Sequence, residues 1–481
     1  MKPLVTNPTR DPSMKQPQIT TGIPEPRSVH LKRSLGGLER FLWLTDQNVP
    51  VHFAMAVHIE GRTTIHGWRT ALNAVQRRHP MLSVAIETNE SNTPHFSTVT
   101  GARIPLRIAE APGLANWLLE MARELATPFN AEQAPLARCV LMHEEDKSVF
   151  IFSAHHSIAD GLSVAYVVRD LLHALGGEKL EALPPMPAEE PLVYSSQQGA
   201  AGAEILEAPE PPQRGRAVAF RLLDSLPTIE ALRLTPERTQ MLLERARTEG
   251  TTVHGALCAA LVLAGREASP DWDSNEVRVL SPFSLRKQLG AGENCGVFVW
   301  GTGVTMPLAP VKEFWEMARF AKSSLAAKQA LERVAIEMQG LEKAMESGVD
   351  VAGASQLLAE AFPCELLLSN LGNLPIQFET GNLKLKALWG PSVLMGFQGE
   401  QTVGVTTTNG ALCLLHTSFT PIPSLLQRTE HILRAACQNF GDAAAVNGFQ
   451  LYACGASLAR VKELAPAGEN SFAERWLGDG I

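Results

Sequence analysis

A proline-rich break near the middle of the chain limits the folds open to it. Residues 178–216 are dense in Pro, Glu, Ala and Gln, with runs such as Leu183-Pro184-Pro185-Met186-Pro187. Proline fixes φ and supplies no N–H, so this stretch reads as a linker or crossover. On both sides the hydrophobic pattern switches between strand and helix periods. The 481 residues are too many for one simple core, and two halves of mixed strand and helix follow from the break. The sequence divides into a flexible tail at 1–28, a first half at 29–180, a linker at 181–216 and a second half at 217–481. No sequence repeat relates the halves.

In the first half, residues 53–59 read as a strand and 64–78 as a helix, with Trp68, Leu72 and Val75 at helical spacing and Pro80 as its stop. A strand at 81–87, a helix at 114–126 and two strands at 137–142 and 148–153 follow, the last pair joined by a charged turn. Residues 163–175 form an amphipathic helix. In the second half, strands are expected at 217–223, 277–281, 297–306, 366–369, 402–408 and 411–417. Helices are expected at 236–248, 253–264, 311–346 and 422–438, the second capped by Thr251-Thr252.

Composition excludes several classes. Hydrophobic residues at 45% and charged residues at 19% suit a globular chain with a generous core. A net charge of -8 argues against nucleic acid or an anionic membrane as the main partner. The seven cysteines are odd in number and scattered, with no CxxC pair, which suits reduced thiols in a cytoplasmic protein. The first residues lack an apolar signal core, and the longest apolar run, 256–264, falls short of the ~20 residues a bilayer span needs.

The chemistry concentrates in one segment. The apolar strand Phe150-Ile151-Phe152-Ser153 delivers His155 and His156 to its end, followed by Ser157-Ile158-Ala159-Asp160-Gly161 and a helix. Strand ends and the loops after them are where rigid scaffolds place reactive groups. The two rings must face different sides, so one meets a cleft while the other packs. A neutral imidazole, with an ordinary pKa of about 6.5, takes a proton from a hydroxyl or amine as it attacks an acyl carbon. No covalent nucleophile is needed if the acyl group arrives as a thioester, and no G-x-S-x-G elbow is present. Three other readings stand beside this one. The pair is an ordinary loop feature, or His-x-x-x-Asp ligates a metal with no third ligand at a recognisable spacing, or His155-x4-Asp160 matches the spacing of membrane-acting glycerolipid acyltransferases.

The segment His155-His156-Ser157-Ile158-Ala159-Asp160-Gly161 resembles the HHxxxDG motif of the chloramphenicol acetyltransferase-like superfamily, which includes nonribosomal peptide condensation domains, polyketide-associated acyltransferases and alcohol acetyltransferases. Flanking elements keep the family's order. Arg77-Arg78-His79-Pro80-Met81-Leu82 resembles its RRHPLL helix end, and Ala134-Pro135-Leu136-Ala137-Arg138 its GPLLR segment. Ser281-Pro282-Phe283-Ser284-Leu285-Arg286 is similar to its PVDLR strand, and Leu368-Ser369-Asn370-Leu371-Gly372 to its SNLG element. The resemblance spans about 33–440; residues 440–481 extend beyond it, and the motifs of plant BAHD enzymes and wax ester synthases are absent.

The resemblance implies an α/β fold with mixed sheets: two chloramphenicol acetyltransferase-like halves forming a pseudo-dimer with an interface tunnel. It implies that His156 is the catalytic base, beside His155, and that Asp160 is chiefly structural, ion-paired to Arg286. Gly161 lets substrate approach the backbone and offers its amide to an oxyanion. Ser369, Asn370 and Gly372 are candidates for substrate binding, Trp300 and Trp389 for the channel border, and His416 reads as structural. The basic stretch 278–287 is either solvated or meets a phosphate of coenzyme A or phosphopantetheine.

The expected function is that of a free-standing acyltransferase in natural-product or lipid biosynthesis. It moves an acyl group from coenzyme A or a carrier protein to a small alcohol or amine, with ester formation favoured. No permanent cofactor or metal is expected, and a monomer suffices. The alternatives are an amide-forming condensation enzyme and a non-catalytic member that binds a carrier protein.

Overall fold

The computed structural model describes residues 30–91, 93–109, 114–197, 225–308, 313–374, 376, 379–438 and 450–453. The expected tail at 1–28, the strand at 217–223 and nearly all of the extension after 440 lie outside the described residues.

The first half runs β1 (Lys32–Ser34), α1 (Gly37–Asp46), β2 (Phe53–Glu60), α2 (Ile65–Arg78), β3 (Val84–Thr88), β4 (Pro94–Thr98), β5 (Leu106–Ile108), α3 (Trp117–Ala126), β6 (Ala137–His143), β7 (Lys147–Ala154), α4 (Gly161–Leu175) and α5 (Glu189–Gln197). Helix α2 starts where Thr64 accepts the Gly67 N–H at 2.9 Å. It ends at His79, and Pro80–Ser83 forms a single 3₁₀ turn. Met81 and Leu82 are used in that turn, so the strand expected from residue 81 starts at Val84. The linker at 181–216 holds helix α5 as well. Pro191 sits in its first turn, where the missing N–H would have had no partner, so proline there does not prevent a helix. Glu190 of α5 accepts the Leu38 N–H at 2.8 Å and caps α1 from within the break.

The second half runs β8 (Thr228–Arg233), α6 (Pro236–Thr248), α7 (Val253–Ala268), α8 (Pro270–Ser274), β9 (Val277–Ser284), α9 (Arg286–Leu289), β10 (Val299–Met306), α10 (Phe314–Ala326), α11 (Leu331–Glu346), α12 (Val351–Ala361), β11 (Leu366–Asn373), β12 (Glu379–Thr380), β13 (Leu383–Ser392), β14 (Gln401–Thr408), β15 (Ala411–Ser418), α13 (Leu425–Gln438) and β16 (Gln450–Ala453). The helical stretch expected at 311–346 holds α10 and α11, and α12 follows, capped by Asp350 on the Gly353 N–H at 2.8 Å.

Two large mixed sheets organise the chain, in the orders β12-β13-β2-β7-β6-β5 and β10-β9-β11-β14-β15-β8-β16, with a small sheet β1-β4-β3 beside them. Strand β13 belongs to the second half in sequence, yet it pairs antiparallel with β2, Leu388 opposite Val57 and Trp389 opposite Ala56. Its first residues alternate between buried and exposed, and its last six are buried on both faces, as expected of a strand that passes between two sheets. A cluster of Ala54, Ala56, Trp117, Ile151, Trp389, Cys413 and Leu415 joins the sheets. No helix among the described residues is long and apolar enough to cross a membrane.

Candidate active site

Strand β7 is central in its sheet, between β2 and β6, so its end is rigidly held. The His155 N–H donates to Leu136 O at 3.0 Å, which continues the ladder one residue past the strand. The His155 ring is buried. Its Nδ1 accepts from the Ser157 N–H at 3.2 Å and lies 2.8 Å from Ser157 Oγ. A backbone N–H only donates, so that nitrogen carries the lone pair and Nε2 carries the proton. Nε2 lies 3.5 Å from Asp46 Oδ2.

The next ring turns the other way. His156 packs against Phe53 at 4.8 Å between centroids and borders a cavity. Its Nδ1 is enclosed without a hydrogen bond, while the residue as a whole keeps partial exposure, which leaves Nε2 as the nitrogen available to a bound group. Burial pushes the His156 pKa down, against the backbone carbonyls of His156 and Ala159 and the carboxylates of Asp160 and Asp46. The net shift is downward, so the ring is a neutral base near neutral pH.

Asp160 begins α4 and is buried. Its Oδ1 accepts the Ser163 N–H at 2.7 Å, and its Oδ2 accepts the Phe298 N–H at 3.0 Å. Arg286 donates to both carboxylate oxygens from Nη2, at 2.9 and 3.1 Å, and from Nη1 to the carbonyls of Gly292 (3.2 Å) and Asn294 (2.8 Å). The pair thus fastens the start of α4 to the loop after α9. Gly161 opens α4, and its N–H is one of the groups that a helix leaves without an internal partner. A Cβ at Gly161 would lie 2.9 Å from Leu371 Cδ2, so a side chain there requires the Leu371 side chain to shift.

The cavity lies between the halves. Leu38, Phe41, Leu42 and Thr45 of α1 form one wall, and Leu280, Pro282, Ser284, Val299 and Gly301 of β9 and β10 another. Leu358 and Phe362 at the end of α12 cover it, and Pro391 and Val393 approach from β13. Apart from His156, its one ionisable lining residue is Asp160, already held by Arg286.

The structure brings His156, Asp160, Gly161, Ser369 and Asn370 to this cavity. It does not bring Gly372 there. Gly372 has φ +68° at an irregularity in the β11–β14 pairing, and its N–H donates to Asn370 Oδ1 at 2.9 Å. Gly372 thus sits in a left-handed turn just beyond Leu371, which does line the cavity. Trp300 borders the cavity and donates to Glu337 at 2.7 Å, whereas Trp389 packs between the sheets with Trp117. His416 is buried against Gln401 at 2.8 Å. In the basic stretch, Arg278 pairs with Glu365 and Arg286 with Asp160, so Lys287 is its one exposed charge. The described cysteines are buried and form no disulfide, and burial pushes Cys258, Cys295 and Cys413 up to about 12, so none of these three supplies a thiolate. Among the described residues no group of three His, Cys, Asp or Glu is placed to hold a metal ion. Asp46, Phe53 and Pro391 have no local signal in the sequence; all three meet the motif only through folding.

Residues 41–200 match the family model described as "Condensation domain", and residues 224–385 match that of "Phthiocerol/phthiodiolone dimycocerosyl transferase C-terminus". The two matches together give both halves of the chain a resemblance to the family of condensation-type acyltransferases. A linear gramicidin synthase of Brevibacillus parabrevis is 26% identical over 266 residues, which is 50% of this chain and 3% of that protein. The chain therefore spans a small fraction of this relative. The structure of polyketide synthase associated protein 5 from Mycobacterium tuberculosis matches at TM-score 0.59 with 16% identity, covering 85% of this chain and 98% of that one. Trichothecene 15-O-acetyltransferase from Fusarium sporotrichioides matches at TM-score 0.59 with 14% identity, covering 85% and 94%. At these identities the two structures show the shared fold alone. Members of the family are acyltransferases or condensation enzymes.

Proposed function

We propose that this chain transfers an acyl group from a coenzyme A or carrier-protein thioester to a hydroxyl or amine acceptor, with His156 as the base. One observation carries the reading: a neutral imidazole, with Nε2 unengaged, at the wall of an apolar cavity built from both halves. The acceptor O–H or N–H would approach Nε2 and give up its proton as it attacks the thioester carbon. The tetrahedral oxyanion would lie near the Gly161 N–H at the positive end of α4. Collapse would break the C–S bond, and the imidazolium would return the proton to the departing thiolate. Two substrates held in one cavity, entering from opposite mouths, would supply the rest of the rate through positioning.

Ester formation is the favoured outcome. The cavity lining offers no free carboxylate to receive an ammonium group, and an uncharged alcohol suits it better. The match of residues 41–200 to the condensation-domain model supports the amide-forming alternative. Both are separated by thiol release from a panel of acyl-CoA and acyl-carrier thioesters, with alcohols or aminoacyl carriers as acceptors. Acceptor-dependent release that falls at least ~100-fold in His156→Ala is the expected result, in line with the usual worth of a general base. Turnover unchanged in that variant would overturn the mechanism, and release dependent on aminoacyl carriers alone would establish the amide reading.

A further inference from the structure

Behind the motif lies a buried carboxylate that the proposed chemistry does not use. Asp46 is the last residue of α1 and is 5% exposed. Its Oδ1 accepts the His52 N–H at 2.8 Å, and the His52 ring Nδ1 lies 3.4 Å away. Its Oδ2 faces His155 Nε2 at 3.5 Å. Burial alone would raise this carboxyl, but electrostatic interaction with the His155 ring and with His52, together with the hydrogen bonds from His52, outweighs it and holds it at about 2. The Phe129 ring closes the group edge-on, with centroids 5.2 Å from His52 and 6.1 Å from His155. The His52 ring is fixed in turn by Glu124 O at 3.2 Å. A charge enclosed in this way is costly unless its partners are held in place.

We infer that Asp46 is a positioning residue for the proposed acyl transfer, holding His155 in its Nε2–H form and thereby fixing the adjacent His156. Two contacts define the tautomer from opposite sides. The Ser157 N–H occupies Nδ1, and the carboxylate of Asp46 stands 3.5 Å from Nε2, where its charge favours the proton. If Asp46 loses its charge, that proton loses its counter-charge and the His155 ring loses one of its two restraints. The peptide it shares with His156 then loosens. Asp46 also connects this loop to the cavity, because Thr45, its neighbour in α1, lines the same space as His156. The other charged or titratable groups that act on His156 are Asp160 at the start of α4, with Arg286 beyond it, and His155 itself.

The inference rests on the acyltransferase reading, so its test has one arm that needs no turnover. In Asp46→Asn, a nearly isosteric change, removing a negative charge near His156 makes the imidazole harder to protonate. The acid limb of the kcat/KM profile should move to lower pH, with kcat down about 10-fold or more and KM little changed. Asp46→Glu should recover part of kcat. Independently, a histidine-selective NMR titration should show the His156 midpoint moving down in Asp46→Asn. An unmoved midpoint with unchanged signals for His155 and His156 would overturn the inference even if no substrate is found. Loss of thermal stability with kcat and its acid limb unchanged would equally overturn it, by reducing Asp46 to a structural residue.

Discussion

Asp160 and Arg286 stand 126 residues apart in sequence and meet in a buried pair that accepts or donates at nearly every polar atom. Taking two charges out of water is expensive, and removing one partner of such a pair typically costs ~3–5 kcal/mol because the other is left uncompensated. Arg286→Met should therefore lower unfolding free energy by about that amount, and Asp160→Asn by somewhat less, because asparagine still caps a helix. The double variant should lose much less than the two losses combined, as measured by urea denaturation of the four proteins in a cycle. Additive losses would mean that the two side chains do not act together. This pair is legible in the sequence only through resemblance; spacing alone gives no reason to join residues so far apart. The place of His156 is legible directly, because an apolar strand, a histidine pair and a helix within one short segment put one of the two rings at a cleft. Asp46 is not, since an acid at a helix end is an ordinary surface feature until His52 and His155 close over it.

At the scale of elements, legibility follows local signals. Helix α6 is readable to the residue because Thr235 caps it, accepting the Arg238 N–H at 3.3 Å, and Pro236 opens it. Strand β13 escapes such a reading: its Leu-Lys alternation lasts only a few residues before both faces become buried, and Gly390-Pro391 resembles a turn. Helix α12 escapes it too, although its Leu358 helps cover the cavity. Strands β9 and β10 place Pro282 opposite Gly301 and Ser284 opposite Val299, so period-two geometry aligns all four on the cavity face. Gly301 leaves that face low. A Cβ there would lie 3.3 Å from both Leu280 Cδ1 and Phe362 Cε1, so anything larger must project into the cavity. Gly301→Leu should thus discriminate by chain length. Each buried methylene is worth ~0.8 kcal/mol, or roughly fourfold in affinity, so displacing two or three should cost long acyl thioesters about 15- to 60-fold in kcat/KM. Acetyl transfer should be nearly unaffected. An equal loss at every length would show that the acyl chain does not run along this face.

The whole molecule depends on how closely its two large sheets approach. Strand β13 carries the second half's chain into the first half's sheet, and β14 of the other sheet runs beside it with Gly404 against Gly390-Pro391. A Cβ on Gly404 would lie 2.1 Å from Pro391 O and 2.6 Å from Gly390 C, and both are backbone atoms with no rotamer to move aside. The contact also reaches the site, because Pro391 lines the cavity beside Gly161. A methyl group here therefore has to separate the sheets or displace Pro391, and overpacking of this kind costs ~1–3 kcal/mol. Gly404→Ala is expected to lower unfolding free energy in that range and to weaken turnover, since His156 and the opposite wall sit on different sheets. Gly303→Ala is the control: its Cβ would meet nothing closer than Val279 O at 3.8 Å, and alanine suits a strand at least as well as glycine. If both variants unfold alike, the sheets have room to shift at Gly404. If Gly404→Ala alone is weakened and its lost turnover exceeds its unfolded fraction, the distance between the sheets sets the geometry in which the base meets its substrate.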